Sequence, residues 1–510
     1  MLVQLLQRNA DYRPDDVAIV YGRASLSHAG LLDRVQRCAR GLEQLGIGRG
    51  ERVALFLENS PDLIISFFAV AACGAINVPL SPECKEEELK FYFRDAGVRC
   101  VIVDKARIEL AKRAASTVPQ RLQLIVVGGT MPDAVAFSDL LTHAAVVLRH
   151  PQLDDDVVFL YSSGSTGRPK CAPRTVIQYW WETDYMVSTL QLGRDDVIFC
   201  AIPLFHNYGL VECVLAAAAS GAKLVILETP NPFILRRRDT LRLLETERAT
   251  VFPGVPFMFR HLADSSAAAD LSSLRWCYTA AAVLPPELFK EFFSKFGVQI
   301  RQHYGCAEVG AMAINVDRDV SESSTSVGRP FPGVRMKILG EDGKIQPPGQ
   351  PGAVAVGSRA MTRGYLGKEA LNQDAFQDGY FLTGDLGRFD DHGRLYLLGR
   401  RKFVIEVVGH KVDPVEVEDV LAEHPNVRES VVIGIPGPAG REEIVKAYVV
   451  LDQPCSEQEL LGFCRERLAN FKVPQAIEPI EAVPKDALGK IVRKQEIIER
   501  RRQDFANKAV

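Results

Sequence analysis

Apolar positions in the first part of this chain alternate between helix-like and strand-like spacing. Leu42 to Leu45 close an amphipathic helix, Gly46-Ile-Gly-Arg-Gly50 breaks it, and Arg52-Val-Ala-Leu-Phe-Leu57 is an uninterrupted apolar run of buried-strand type. Val101-Ile-Val103 and Leu124-Ile-Val-Val127 repeat that short, turn-bounded form. Continuous apolar strands separated by helices predict a mostly parallel sheet flanked by helices. The most apolar stretch, Leu63 to Leu80, contains Ser66, Gly74, Asn77 and Pro79. That composition predicts a buried helix running into a strand and not a membrane span.

From about Pro330 the texture changes. Gly and Pro become dense, as in Pro347-Pro348-Gly349-Gln350-Pro351-Gly352, and short strands are expected up to Leu398. After Gly399-Arg400 the pattern resets to a strand, a helix from about Pro414 to Glu423, strands at Ser430 to Ile435 and Ala447 to Leu451, then two helices. The expected fold class is therefore α/β: a large N-terminal domain (1–400) with a β-rich subdomain, and a small mobile α+β C-terminal domain (401–510).

The chain has 510 residues, 47% apolar and 25% charged, as in an ordinary globular protein. Its 61 Lys and Arg against 64 Asp and Glu leave a net charge of −3, which gives no global attraction to nucleic acid or anionic membrane. The 11 cysteines are scattered, with no C-x-x-C pair, and the opening residues lack the basic and apolar regions of a secretory leader. Reduced thiols and a cytoplasmic location are expected, without a stable membrane anchor.

The strongest local chemistry is an apolar strand, Val157-Val-Phe-Leu-Tyr161, followed by Ser162-Ser-Gly-Ser-Thr-Gly-Arg-Pro-Lys170. Glycines let backbone N–H groups converge on an anion, hydroxyls add donors, and Lys170 adds a positive charge. The segment suits nucleotide phosphates, although it is neither a Walker loop nor a G-x-S-x-G elbow.

Tyr161 to Lys170 resembles the phosphate-loop signature of the adenylate-forming superfamily, which includes acyl-CoA synthetases, luciferases and peptide-synthetase adenylation domains. Six further signatures follow in that family's order: Pro203-Leu-Phe-His206-Asn-Tyr-Gly, Tyr304-Gly-Cys-Ala-Glu308, Tyr380-Phe-Leu-Thr-Gly-Asp385, Gly399-Arg400, Gly409-His-Lys-Val-Asp-Pro-Val-Glu416, and Pro484-Lys-Asp-Ala-Leu-Gly-Lys490. The resemblance implies ATP-dependent conversion of a carboxylic acid to an acyl-adenylate, followed by transfer to a thiol. It implies a phosphate loop of Ser162, Ser163, Gly164, Ser165, Thr166, Gly167 and Lys170, and a Mg²⁺ carboxylate at Glu308. Tyr304, with Gly305 and Ala281, is expected at adenine, and Asp385 with Arg400 at ribose. Lys490 is expected to bridge the acid and the α-phosphate, with Lys402 as hinge and the Gly409 loop serving the thioester step. The catalytic set is Lys490, Glu308 and His206.

Two positions depart from the family pattern: Ala307 stands where Thr is usual, and Cys171 where Gly is usual. His206 occupies the place where amino-acid-activating relatives carry Asp, so the expected acid is fatty or aromatic and lacks an α-amino group. Its pocket is expected near Tyr208, Leu210, Val211, Phe257, Ala281 and Cys306, mostly apolar. CoA is the favoured acceptor, because no carrier domain follows Val510. A stand-alone enzyme loading a carrier-protein phosphopantetheine is the alternative, and a catalytically silent nucleotide-binding protein a remote one. Expected partners are a small carboxylic acid and an acyl carrier protein in the second case, with no nucleic acid; the chain is expected to be a monomer or homodimer.

Overall fold

The computed structural model describes the chain except residues 1, 120, 149–150, 163–168, 229–232, 282, 401–404, 408–409, 413, 438–442, 469–471, 486–490, 494–497 and 500–510. Two compact units divide it: residues 1–336 with 356–381, and residues 337–355 with 382–510.

The first unit contains two large sheets. In the seven-stranded sheet the spatial order is Val135–Ala136, Gln123–Val127, Cys100–Asp104, Arg52–Phe56, Ile76–Pro79, Asp156–Ser162 and Lys170–Thr175. All of its pairs are parallel except the last, where Asp156–Ser162 and Lys170–Thr175 form an antiparallel hairpin. The nine-stranded sheet has a parallel centre, with Trp276–Thr279 beside Arg301–Cys306, and antiparallel edges.

The apolar stretch behaves as its composition predicts. Pro61–Ala72 is a helix with Ser60 as N-cap, Pro61 at its first position and every residue from Leu63 onward buried. A helix apolar all round must be covered on every side, which the interior of this unit provides. Gly74 turns the chain at φ +69° into the strand Ile76–Pro79. Buried Asn77 is held there by Nδ2 bonds to the Phe67 and Val157 carbonyls, each 3.2 Å. Among the described residues no helix is long and apolar enough to cross a membrane. All eleven cysteines are free thiols.

The second unit packs helices Pro414–Ala422 and Glu457–Arg467 with a three-stranded sheet of Val427–Pro436, Glu443–Leu451 and Ala476–Pro479 around Val417, Leu421, Val432, Ala447, Leu460 and Ile477. The second helix expected after Leu451 falls in a stretch largely outside the described residues, as does the basic run 500–502.

One buried ion pair ties the first unit together. Arg174, at the end of the hairpin, donates from Nη2 to Glu182 Oε2 at 2.7 Å, and both residues are at most 1% exposed. Glu182 sits on the helix Val176–Leu190, which begins in a capping box between Thr175 and Gln178. Its Oε1 accepts from Asn207 Nδ2 at 2.7 Å and from Ala311 N–H at 3.0 Å. Arg174 Nη1 donates to the Ala307 carbonyl at 3.0 Å, and the guanidinium lies 5.0 Å from the Tyr179 ring centre. Burial pushes the Glu182 carboxyl up, and the Arg174 charge beside it opposes that shift. Gly310, at φ +83°, approaches so closely that an added Cβ would overlap the Glu182 carboxylate.

Removing one partner leaves the other charge buried and unpaired. Glu182→Leu should therefore cost about 3–5 kcal/mol, read as a lowered midpoint in urea unfolding. A midpoint unchanged within error would refute the role given to this pair.

Candidate active site

The phosphate-loop signature is a hairpin connection. Ser162 and Lys170 are direct cross-strand partners, so the ends of the loop are pinned opposite one another. Ser163, Gly164, Ser165, Thr166 and Gly167 lie outside the described residues, as do Lys402, Gly409 and Lys490.

Ser162, at one end of the loop, meets Glu308, and Lys170, at the other end, meets Tyr365. Ser162 Oγ–H donates to Glu308 Oε1 at 3.0 Å, and Tyr365 O–H donates to the same oxygen at 2.8 Å. Lys170 Nζ lies 5.2 Å from the centre of the Tyr365 ring, within cation–π range. Lys170, Glu308 and Tyr365 are all buried. Their segments are sewn together by backbone: Thr362 N–H donates to the Glu308 carbonyl at 2.8 Å, and Leu366 N–H to the Cys171 carbonyl at 3.0 Å. Thr362 Oγ1–H adds a 2.6 Å bond to the Pro173 carbonyl.

Tyr365 was absent from the sequence-derived set. Its only local signal is the pair of flanking glycines, Gly364 and Gly367, both at positive φ, which marks an ordered turn. Both departures from the family pattern act here through the main chain, Cys171 as the acceptor for Leu366 and Ala307 as the acceptor for Arg174. The Cys171 thiol is buried, and burial pushes its pKa up, so it is held as a neutral thiol.

Tyr304 is buried on Arg301–Cys306, paired with Ala313 across the sheet, while neighbouring Gly305 is exposed. A Cβ on Gly305 would stand 2.9 Å from the Gly310 carbonyl oxygen, so the site admits only glycine. Ala281 is exposed just beyond the strand Trp276–Thr279 and holds φ +71°, a left-handed conformation that costs an alanine about 1 kcal/mol. In the second unit, buried Asp385 on Tyr380–Phe389 stands directly opposite Arg400 on Leu395–Arg400. Its N–H donates to Thr383 Oγ1 at 3.1 Å, and Thr383 Oγ1–H donates to the Val354 carbonyl at 3.0 Å. A separation of fifteen positions thus becomes one cross-strand pair.

His206 precedes a helical turn, Asn207–Gly209, that runs into a π-helix, Leu210–Leu215. Leu210 and Val211 are fully buried in the π-helix, Cys306 is half-buried, and Phe257 is 43% exposed with its ring against His261. Tyr208 O–H donates to the Gly254 carbonyl at 3.1 Å, and its ring stacks on His303 at 5.7 Å. His303 in turn adjoins buried Glu212 and Tyr278. The expected apolar lining is therefore backed by polar side chains, which the apolar run Leu210-Val-Glu-Cys-Val-Leu215 signals only by the glutamate inside it.

Two outcomes follow from this geometry. Tyr365→Phe keeps the ring under Lys170 and removes one hydrogen bond to a carboxylate. Acid-dependent ATP–pyrophosphate exchange should fall about tenfold in a folded protein, and an unchanged rate would show that the hydroxyl does not orient Glu308. Burial lowers the His303 pKa from 6.5 to about 3. Between those values the unfolded chain binds a proton that the native state refuses, so stability falls as the pH drops below about 6.5. His303→Phe should flatten that acid limb in a series of unfolding midpoints measured against pH; an identical slope would refute it.

Comparison with known proteins agrees with the order of these motifs. Residues 6–366 match the family described as AMP-binding enzyme, and residues 416–490 match the AMP-binding enzyme C-terminal domain. The chain is 32% identical over 506 residues to an oxalate–CoA ligase of Arabidopsis thaliana, covering 96% of each chain. It is 31% identical to a feruloyl-CoA synthase of Amycolatopsis sp, covering 95% of this chain and 96% of that one. The crystal structure of the anthranilate CoA ligase AuaEII in complex with anthranoyl-AMP superposes with a TM-score of 0.87 at 27% identity, over 100% of this chain and 98% of the other. Likeness of this extent, on a chain that brings its phosphate-loop strand, lysine and glutamate together, means that the protein belongs to the AMP-binding enzyme family and is an AMP-forming acid–CoA ligase.

Proposed function

We propose that the acid is a fatty or aromatic carboxylate lacking an α-amino group, and that this chain handles it in two half-reactions. In the first, a carboxylate oxygen attacks the α-phosphorus of ATP and the bond to the bridging oxygen breaks, releasing pyrophosphate and leaving an acyl-adenylate. In the second, the CoA thiol adds at the acyl carbon, AMP leaves and the thiol proton is released, giving the thioester. The first step crowds anions, so fixed positive charge is its main catalytic need.

The convergence of Lys170 and Glu308 on Tyr365 carries this reading. Lys170 and the loop before it would hold the phosphates, Tyr304 and Gly305 the adenine, and Asp385 with Arg400 the ribose hydroxyls. The donor set suits Mg²⁺: a buried carboxylate with hydroxyl neighbours is all hard oxygen, and among the described residues both hydroxyls bond Oε1 and none bonds Oε2. When bound there, Mg²⁺ supplies neutralisation of phosphate charge. Lys490 would bridge the acid and the α-phosphate, a placement suited to a compact ammonium on a flexible stem. Lys402 would be the pivot, and the Gly409 loop would guide the thiol.

His206 supports the choice of acid. An imidazole in place of a carboxylate gives a substrate ammonium no counter-charge, and a buried unpaired charge is expensive. In ATP–pyrophosphate exchange with a carboxylate panel, octanoate-like or benzoate-like acids should be strong and the proteinogenic amino acids weak; strong exchange with one amino acid alone would overturn the reading. Lys490→Ala should abolish exchange yet still convert preformed acyl-adenylate to thioester, and Lys402→Pro should do the reverse. Equal loss of both steps in both folded variants would refute the pivot.

A further inference from the structure

In the second unit, the chain before and after Lys490 is held as two facing arms. Val492 N–H donates to the Pro484 carbonyl at 2.8 Å, and Lys485 stands in antiparallel register with Ile491, the residue immediately after Lys490. The returning arm leads to Arg493, whose guanidinium makes a two-pronged contact with Glu418 on the helix Pro414–Ala422. Nη2 donates to Oε2 at 2.7 Å and Nη1 donates to Oε1; Nη1 also donates to the Val432 carbonyl at 3.1 Å. Glu418 Oε1 accepts from the Val432 N–H at 2.6 Å.

The Arg493 and Glu418 side chains are only 10% and 11% exposed. Among the described strands, Val427–Pro436 is an edge of its three-stranded sheet, so the outward main-chain groups of Val432 have no neighbouring strand to bond. Glu418 takes its N–H and Arg493 its carbonyl. A fork of this kind fixes direction as well as distance, and a largely buried pair whose remaining positions are engaged resists displacement. Ile491 adds packing against the cluster that contains Val431, Tyr448, Val483 and Ile498. Lys485 pairs with Glu429 at 2.7 Å, but both side chains are about one-third exposed, and such pairs contribute little. Arg493 is therefore the directional anchor of the returning arm.

That anchor sits three residues beyond Lys490, so a displaced arm displaces the start of the lysine's own main chain. A charge that must meet a reacting phosphate tolerates little error, because a misplacement of about 1 Å can cost a hundredfold in rate. The other half of the pair has independent support. Its helix is held by buried Val417 and Leu421 in the core of the second unit, and the Gly409 segment leads into that same helix. Loss of Arg493 should therefore disturb the Lys490 arm and spare the Gly409 side. We propose that Arg493, clamped by Glu418 and by the edge of the strand at Val432, is a positioning residue for the first half-reaction alone. It touches no substrate and acts through Lys490. The inference rests on the reading of Lys490 as the group that bridges the acid and the α-phosphate.

The test measures the two steps separately on the full-length enzyme, with the most active acid of the panel above. Acid-dependent ATP–pyrophosphate exchange reads the first step, and conversion of preformed acyl-adenylate and CoA to thioester reads the second. Arg493→Met should lower kcat for exchange about tenfold or more, leaving KM for ATP and the second step unchanged within error. Arg493→Lys keeps a charge beside Glu418 but lacks the fork that reaches both carboxylate oxygens and the Val432 carbonyl. It should fold and lose activity in the same step only, by a smaller factor, and it decides the matter if the methionine variant does not fold. Wild-type exchange in a folded variant, equal loss of both steps, or a loss expressed only as a raised KM would overturn the inference. Full exchange in Lys490→Ala would instead overturn the role given to Lys490, and the inference with it.

Discussion

A charge pair sealed from water, Arg174 with Glu182, constrains the candidate site of the first unit. In a low-dielectric interior such a pair is tolerated only when its remaining donors and acceptors are also engaged. Here the engaged partners are the Ala307 carbonyl, the Asn207 amide and the Ala311 N–H. Each belongs to a different piece of the site: Ala307 precedes Glu308, Asn207 follows His206, and Ala311 lies on the strand returning from the Glu308 turn. Displacing any of them exposes part of the pair to a dry interior without a partner. That requirement holds the strand Lys170–Thr175, the turn after His206 and the turn at Glu308 in one register.

The same logic operates at Glu308 with smaller stakes. Tyr365 touches both groups, its hydroxyl on the Glu308 carboxylate and its ring within 5.2 Å of the Lys170 ammonium. Close-packed segments 362–366 and 171–173 hold this spacing through main-chain bonds, so the side chains at Cys171 and Ala307 matter less than their carbonyls.

Much of the architecture is legible in the sequence. The buried helix running into a strand within Leu63–Leu80, the parallel strands at Arg52 and Val101, and the small α+β unit around Pro414 follow from local rules of period and turn chemistry. Other features were not. The phosphate loop closes a hairpin, which the residues between Ser162 and Lys170 do not announce. Tyr365 has no motif of its own beyond two glycines. The pocket expected to be apolar is backed by Glu212, His303 and Tyr278, because a glutamate inside an apolar helix and a histidine beside a tyrosine look locally like packing residues.

What the sequence by itself determined was the family's ordered motifs and the candidate groups they carry, since residue chemistry and short-range periodicity are properties of neighbours in the chain. The tertiary structure decided which distant groups meet: Ser162 with Glu308 and Tyr365, Arg174 with Glu182 and Ala307, Asp385 opposite Arg400, and Tyr278 with Glu212 beside His303. Burial, hydrogen-bond satisfaction and the protonation states they impose depend on neighbours in space, and those exist only once the sheets have closed around the buried helix.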